Sequence, residues 1–315
     1  KVKNMIYDVI GDVHGQADKL IGLLTQLGYQ HDGQCFQAPP NHQAIFIGDL
    51  IDRGSQQLQT LAIVFAMIDH GQALAVMGNH EYNALAYATA DARDASQYLR
   101  QHDDRHTSQH QAFLDEVGFG SELHQFWLKR FYELPLWLAL DDACFVHACW
   151  DSDAMAMLKP LLTMDNRLTP LALQKTSEEG TPLFEALERV LKGVEATLPE
   201  GIHLVDKEGH QRKNVRVQWW QPSLSFQPIH QIARASQEDL IHIPKDTLTA
   251  EIVFGLDHDK PIFVGHYWLN GTPELLSHQV VCVDYSAAKD GFLTAYQFDT
   301  DHPALTSVNF IQYQH

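Results

Sequence analysis

Three short stretches concentrate oxygen and imidazole donors: Asp12-Val13-His14-Gly15, Gly48-Asp49-Leu50-Ile51-Asp52-Arg53-Gly54 and Gly78-Asn79-His80-Glu81. Each follows a short apolar run, at residues 5–10, 44–47 and 73–77, with the length of a buried strand. In an open α/β sheet, the loops at such strand ends gather into a ligand crevice. Hard carboxylate and amide oxygens mixed with imidazole suit Mn, Fe or Zn better than a structural thiolate site would. The pattern points to a metal centre.

The elements that must position these donors alternate. After the first strand, residues 16–28 read as a helix, with Leu20, Leu23, Leu24 and Leu27 on one face and Gly28 as its stop. After the second, Ser55 is the expected N-cap of a helix whose Leu58, Leu61, Ala62, Phe65 and Ile68 form a stripe before Gly71. Strand, helix, strand, helix, strand is the order of parallel βαβ units. Residues 82–135 exceed what a connection needs: a polar run, 91–111, precedes a helical pattern at 121–134 with Leu123, Phe126, Trp127 and Phe131. A segment of that length reads as a lid or substrate-facing insert. Residues 136–140 and 144–147 form a hairpin pattern around Asp141-Asp142, and Thr181-Pro182 opens a helix with Leu183, Leu187, Val190 and Leu191 aligned. Residues 202–205 and 215–220 flank a turn at 207–210, and 261–298 return to β alternation. The expected organisation is one domain over 1–315 with inserts at 82–135 and 151–250.

In this order, Gly-Asp-x-His-Gly, Gly-Asp-x-x-Asp-Arg-Gly and Gly-Asn-His-Glu resemble the calcineurin-like metallophosphoesterases, and within them the PPP type of phosphoprotein phosphatase with its bacterial Ser/Thr-phosphatase-like members. Phe145-Val146-His147-Ala148 and Ile262-Phe263-Val264-Gly265-His266 fit as well. The resemblance implies an α/β fold, a sandwich of two mixed β-sheets flanked by helices. It also implies two divalent ions, Mn2+ foremost with Fe or Zn as alternatives. Asp12 and His14 match the ligands of one metal, Asp49 the bridging carboxylate, and Asn79, His147 and His266 the ligands of the other. His80 resembles the general acid and Asp52 the carboxylate that orients it; Arg53 offers a planar fork to phosphate. Asp284, in Val283-Asp284-Tyr285, resembles an aspartate that supports the second-metal histidine. The chemistry implied is in-line attack on phosphorus by a hydroxide held between the metals, with Arg53 and Asn79 bracing the phosphate and His80 protonating the leaving group.

Some positions depart from the pattern. His147-Ala148-Cys149 stands where His-Gly-Gly is usual, and Cys149 reads as a buried small hydrophobe; Tyr267 is larger than the usual neighbour of His266. The second phosphate-binding arginine has no tight motif; Arg216 is the candidate, against a structural strand arginine. His102, His106 and His110 recur at i, i+4, i+8, and that run reads as a solvated polar segment rather than a ligand ridge. Trp219, Trp220 and Trp268 read as core or pocket wall. No cysteine opens a Cys-x5-Arg loop, so a thiol nucleophile is excluded.

The balance of 22 basic against 40 acidic residues gives a formal charge of −18, which argues against a nucleic-acid backbone or an anionic membrane as partner. Four scattered cysteines make no disulfide framework, no apolar run reaches membrane-spanning length, and no signal-peptide pattern opens the chain, so a cytoplasmic protein is expected. The substrate classes that compete are phosphoproteins or small phosphate esters, then dinucleoside polyphosphates or nucleotides, then a non-catalytic binding scaffold. The intact ligand set disfavours the scaffold. Asp52 and Glu81 favour the phosphatase over the symmetrical diadenosine tetraphosphate hydrolases.

Overall fold

The computed structural model describes residues 4–205, 211–235, 237–241, 243–256 and 259–314. The turn expected at 207–210 lies outside them; Leu204–Val205 pairs with Gln211–Arg212, and Asn214–Arg216 with Glu195–Thr197.

Apolar runs without polar alternation require burial on both faces, and the chain meets this by stacking two mixed sheets. In the first, Ile6–Ile10, His42–Phe46 and Ala73–Ala75 run parallel, and Phe292–Asp299 joins Ile6–Ile10 antiparallel. Asp284–Tyr285 and Phe310–Tyr313 flank Phe292–Asp299. In the second, Cys144–Val146, Ile262–Val264 and Val280–Cys282 run parallel, with Trp137–Ala139 antiparallel at the edge as the hairpin pattern requires. The expected pair of mixed sheets is present.

Side chains alternate across a strand, so one residue of each pair faces the other sheet. Val9, Ile45, Ile47, Phe145, Phe263, Val281, Tyr296 and Phe298 form the inter-sheet layer. Phe263 sits at its centre, 5.3–5.5 Å from the rings of Phe145, Tyr296 and Phe298. Ile10 and Phe46 point the other way, into a cluster with Leu20, Leu23 and Leu24 of helix α1 (Ala17–Gln26) and Leu61 and Val64 of α2 (Gln57–Asp69). The N-terminus of α2 is not capped by Ser55. Glu116 supplies the cap from 58 residues or more away, its two oxygens accepting from Gln57 N and Leu58 N at 2.8 and 2.9 Å.

Helix α3 (Asn79–Ala88) leads into the segment after residue 82, which holds a small hairpin (Ala90–Asp91 with Asp94–Tyr98), α4 (Asp104–Val117) and α5 (Glu122–Phe131). Asp103 and Ser121 cap the last two through the His106 and His124 N–H groups. No helix among the described residues is long and apolar enough to cross a membrane.

Candidate metal centre and active site

Parallel strands end on one edge, and here both sheets deliver their C-terminal ends to one place. His14 follows Ile6–Ile10; Asp49, Asp52 and Arg53 follow His42–Phe46; Asn79 and His80 open α3 after Ala73–Ala75. His147 directly follows Cys144–Val146, and His266 comes just after Ile262–Val264. His14, Asp49, Asp52, Arg53, His266 and Trp268 all hold positive φ. For non-glycine residues that conformation is strained, and clustering of such strain is characteristic of functional sites.

Asp49 is the hub. Its Oδ1 accepts from His80 N at 3.0 Å, while Oδ2 lies 3.6 Å from His14 Nε2, 3.9 Å from His80 Nε2 and 3.3 Å from His147 Nε2. Two buried triads share it: His14, Asp49 and His80, and Asp49, His147 and His266, the ligand atoms of each lying within 4.8 Å of one another. Asn79 Oδ1 stands between the second pair of rings, 3.1 Å from His147 Nε2 and 2.8 Å from His266 Nδ1. Asp12 is in neither triad; its Oδ2 accepts from His266 N at 3.0 Å, and its Oδ1 is buried without a partner.

The backbone fixes which ring nitrogens face inward. His147 Nδ1 donates to Ile47 O at 2.6 Å and His14 Nδ1 to Ile51 O at 2.8 Å, which leaves the Nε2 atoms aimed at oxygens. A nitrogen lone pair facing carboxylate and amide oxygens needs a proton or a cation between them. Separations near 3 Å would suit donors that share a cation. His14 Nε2, His266 Nε2 and Asp12 Oδ1 are also buried polar atoms with no protein partner, a state that normally costs free energy. This donor set fits divalent cations.

The charges agree. Burial, then the nearby Asp284 and Asp49 charges, push the Asp12 carboxyl well above its usual range. Burial, then the His80 charge, lower His14 to about 3. Burial alone would raise Asp49, but the imidazoles of His147, His80 and His14 hold it well below the usual range. Acids and imidazoles packed this closely favour a cation held among them.

His80 sits beside these donors. Its Nδ1 donates to Asp52 Oδ2 at 2.6 Å. Burial alone would lower its imidazole, and the Asp49 charge with the Asp52 hydrogen bond outweighs burial and raises it. An imidazole held in one tautomer by a carboxylate suits proton donation. Because His80 Nε2 also reaches toward Asp49, the geometry alone admits His80 as a ligand as well as an acid.

Glu81 is the residue whose part the motif alone does not explain. Fully buried, it accepts from Leu50 N and Ile51 N through Oε1 (2.7 and 3.3 Å) and from Asp49 N and Gly78 N through Oε2 (2.9 Å each). It thus ties the Asp49 loop to the start of α3. Burial and the Asp49 charge push it up to about 7, against the pull of its backbone donors.

The remaining sequence candidates divide. Arg53 is exposed, its guanidinium 4.5 Å from the centroid of Trp268, which stacks 5.3 Å from His14; Trp268 is a wall of the site, as read. Burial, then the Arg216 charge, hold His266 well below its usual value, but Arg216 lies 3.9 Å from Glu195 and does not line the cavity beside His80. Asp284 accepts from Trp268 N (2.6 Å) and Ser286 N (3.0 Å), so it anchors the backbone two residues after His266. Cys149 is buried, as expected. The reading of His102, His106 and His110 as a solvated run fails for His110, while His102 is exposed. His102 stacks between Tyr87 and Tyr98 (3.8 and 4.0 Å), and His110 is buried with Nδ1 2.8 Å from Asp52 Oδ1.

A cavity of about 870 Å³ opens from Arg53, Asn79 and His80, its far walls drawn from residues 82–110 and 177–192. Arg100 and Arg105 line it without a carboxylate partner among the described residues; Arg100 instead donates to Asn83 Oδ1 (3.2 Å) and Gln109 Oε1 (3.0 Å).

Residues 5–145 match the family model for calcineurin-like phosphoesterases. Over 76 residues the chain is 40% identical to a bis(5'-nucleosyl)-tetraphosphatase PrpE [asymmetrical] of Geobacillus sp. (strain WCH70), covering 24% of this chain and 31% of that protein. The protein of the same name from Bacillus velezensis (strain DSM 23117 / BGSC 10A6 / LMG 26770 / FZB42) is 36% identical over 77 residues, 24% of this chain and 30% of that one. The chain therefore matches about a third of the length of these relatives. A solved protein serine/threonine phosphatase from Saccharomyces cerevisiae, with similarity to human phosphatase PP5, aligns over 100% of this chain and 81% of its own at TM-score 0.54 and 17% identity, a likeness of fold. The likeness to the calcineurin-like phosphoesterase family lies in residues 5–145, the stretch that carries Asp12, His14, Asp49, Asn79 and His80.

Proposed function

We propose that this chain is a phosphatase dependent on two divalent ions, Mn2+ foremost, that hydrolyses phosphomonoesters, phosphoproteins among them. The observation that carries the reading is Asp49 shared between two buried triads, with the His80–Asp52 pair beside them. In this reading Asp12, His14 and Asp49 hold one ion and Asp49, Asn79, His147 and His266 the other. Bound there, such ions supply Lewis acidity and lower the pKa of coordinated water. Arg53 and Asn79 orient the phosphate oxygens, the Arg53 fork being kept in place by the Trp268 face. His80, oriented by Asp52, donates the proton that the departing oxygen needs.

A second reading is hydrolysis of a dinucleoside polyphosphate. Arg100 and Arg105 favour it, as guanidinium groups without a carboxylate partner among the described residues, in a cavity next to His80. So does the local likeness to proteins named bis(5'-nucleosyl)-tetraphosphatases. A panel of Mn2+-supplemented assays with phosphopeptides, nucleotides and diadenosine tetraphosphate tests both. Phosphate release from phosphopeptides supports the first reading, and cleavage of the dinucleotide alone replaces it with the second. Chelated, metal-free protein with full activity would refute both.

A further inference from the structure

Both oxygens of the Asp52 carboxylate are taken. Oδ2 accepts from His80 Nδ1 at 2.6 Å, and Oδ1 accepts from His110 Nδ1 at 2.8 Å. The carboxylate is 2% exposed, and its own N–H donates to Gln57 Oε1 at 2.7 Å. His110 comes from α4, 58 residues along the chain, and is 4% exposed. Its ring packs 5.2 Å from Phe113 and 5.4 Å from Tyr87.

The tautomer follows from the partners. His110 Nε2 is buried with no partner, so a proton there would be an unpaired buried donor, which is costly. With its proton on Nδ1, the ring gives Asp52 its second donor. A carboxylate bonded through only one oxygen can swing about its Cβ–Cγ bond. Bonded through both, it holds the His80 ring in one plane.

We propose that His110 is a positioning residue for this site: it pins Asp52 through Oδ1, so that α4 supplies a third member of the His80–Asp52 pair. The inference rests on the phosphatase reading above, in which His80 is the general acid. It also gives α4 two tasks, because Arg105, His106 and Gln109 of the same helix line the cavity next to His80. The helix that walls the cavity therefore also sets the acid.

His110→Phe removes the donor while keeping most of the ring volume, and His110→Asn places an amide N–H where Nδ1 stood. Each is compared with the wild type, loaded with Mn2+, on p-nitrophenyl phosphate and on an alkyl phosphate monoester. General acid–base catalysis contributes roughly 10²–10⁴-fold, and loss of orientation forfeits a part of it. His110→Phe should lower kcat on the alkyl ester about tenfold and on the nitrophenyl ester less than about threefold, with KM and metal content unchanged. His110→Asn should recover most of the loss. Should His110→Phe fail to fold, His110→Ala takes its place.

The second readout is independent of turnover. Metal-free wild type should show two protected imidazole N–H proton resonances in NMR, assigned to His80 and His110, and His110→Phe should lose one and shift the other. Equal slowing on both substrates, loss of metal, or a His80 resonance unmoved by His110→Phe would overturn the proposal. A wild type inactive on every ester while the two resonances behave as described would overturn the phosphatase reading and leave the His80–Asp52–His110 arrangement standing.

Discussion

Gly265 precedes His266, and the space that a side chain would occupy there is already filled. A Cβ on Gly265 would lie 2.1 Å from Asp12 Oδ1, 3.2 Å from Asp12 Cγ and 3.3 Å from Ile47 Cγ2. Carbon and oxygen need about 3.2 Å or more, so Gly265→Ala must displace the Asp12 carboxylate or the 265–266 backbone by about 1 Å. A carboxylate shift removes the oxygen proposed to bind metal. A backbone shift strains the His266 N–Asp12 Oδ2 bond (3.0 Å) and the Gly265 N–His147 O bond (2.8 Å). Ligand distances tolerate only about 0.2 Å, and a misplacement of about 1 Å can cost roughly a hundredfold in rate. Overpacking itself costs about 1–3 kcal/mol in stability. We therefore expect Gly265→Ala to fold, with a modestly lowered denaturation midpoint, and to lose about a hundredfold in kcat and at least one ion per chain by elemental analysis. Gly271→Ala is the control: its Cβ meets nothing within 4 Å, and only its φ of +80° is unfavourable. Gly271→Ala should lose stability and keep its metal. A Gly265→Ala protein with wild-type rate and full metal content would refute the reasoning.

Other expectations concern the acid pair and its support. His80→Ala should keep its metal and lose far more rate on phosphoserine peptide than on p-nitrophenyl phosphate, since a nitrophenolate leaves readily without a proton; loss of a metal, or equal slowing on both, would remove the general-acid role. For Asp52, burial would raise the carboxyl, but the charges and hydrogen bonds of His110 and His80 hold it at about 2. Its unfolded value is about 3.9, so its contribution, of order 2 kcal/mol, is complete above that value and is lost as pH falls through the folded one. Denaturant titrations of metal-free protein between about pH 5 and 3 should show a shallower loss of stability in Asp52→Asn than in the wild type; equal slopes would remove the linkage. Glu81→Gln keeps one acceptor oxygen and turns an amide N–H2 toward two of the four backbone donors. Stranded buried donors cost about 1–3 kcal/mol each, so the metal-loaded variant should denature at clearly lower urea, and an unchanged midpoint would contradict the tie between the loops.

Much of this site is legible in sequence because its donors are local to strand ends. A short apolar run followed at once by Asp12 and His14, or by Asp49, Asp52 and Arg53, places those residues at the edge without knowledge of any partner. The hairpin after Trp137 and the helix opened by Thr181-Pro182 are likewise set by near neighbours, Thr181 capping Phe184 N at 3.2 Å. What escaped depends on distant contacts. Ser55 has the right chemistry for a cap, but Glu116 reaches α2 from another helix. His110 lies in a polar run with no apolar periodicity, and only the approach of α4 to Asp52 buries it. Glu81 was visible as a motif letter, yet its four backbone bonds exist only when the loops after His42–Phe46 and Ala73–Ala75 are side by side.

The central claim is that Asp49 joins two cation positions, and Mn2+ titration of chelator-stripped protein followed by electron paramagnetic resonance tests it most directly. Two Mn2+ per chain with an exchange-coupled signal are expected, with loss of that coupling in Asp49→Asn. Binding of a single ion, or of two uncoupled ions in the wild type, would contradict it.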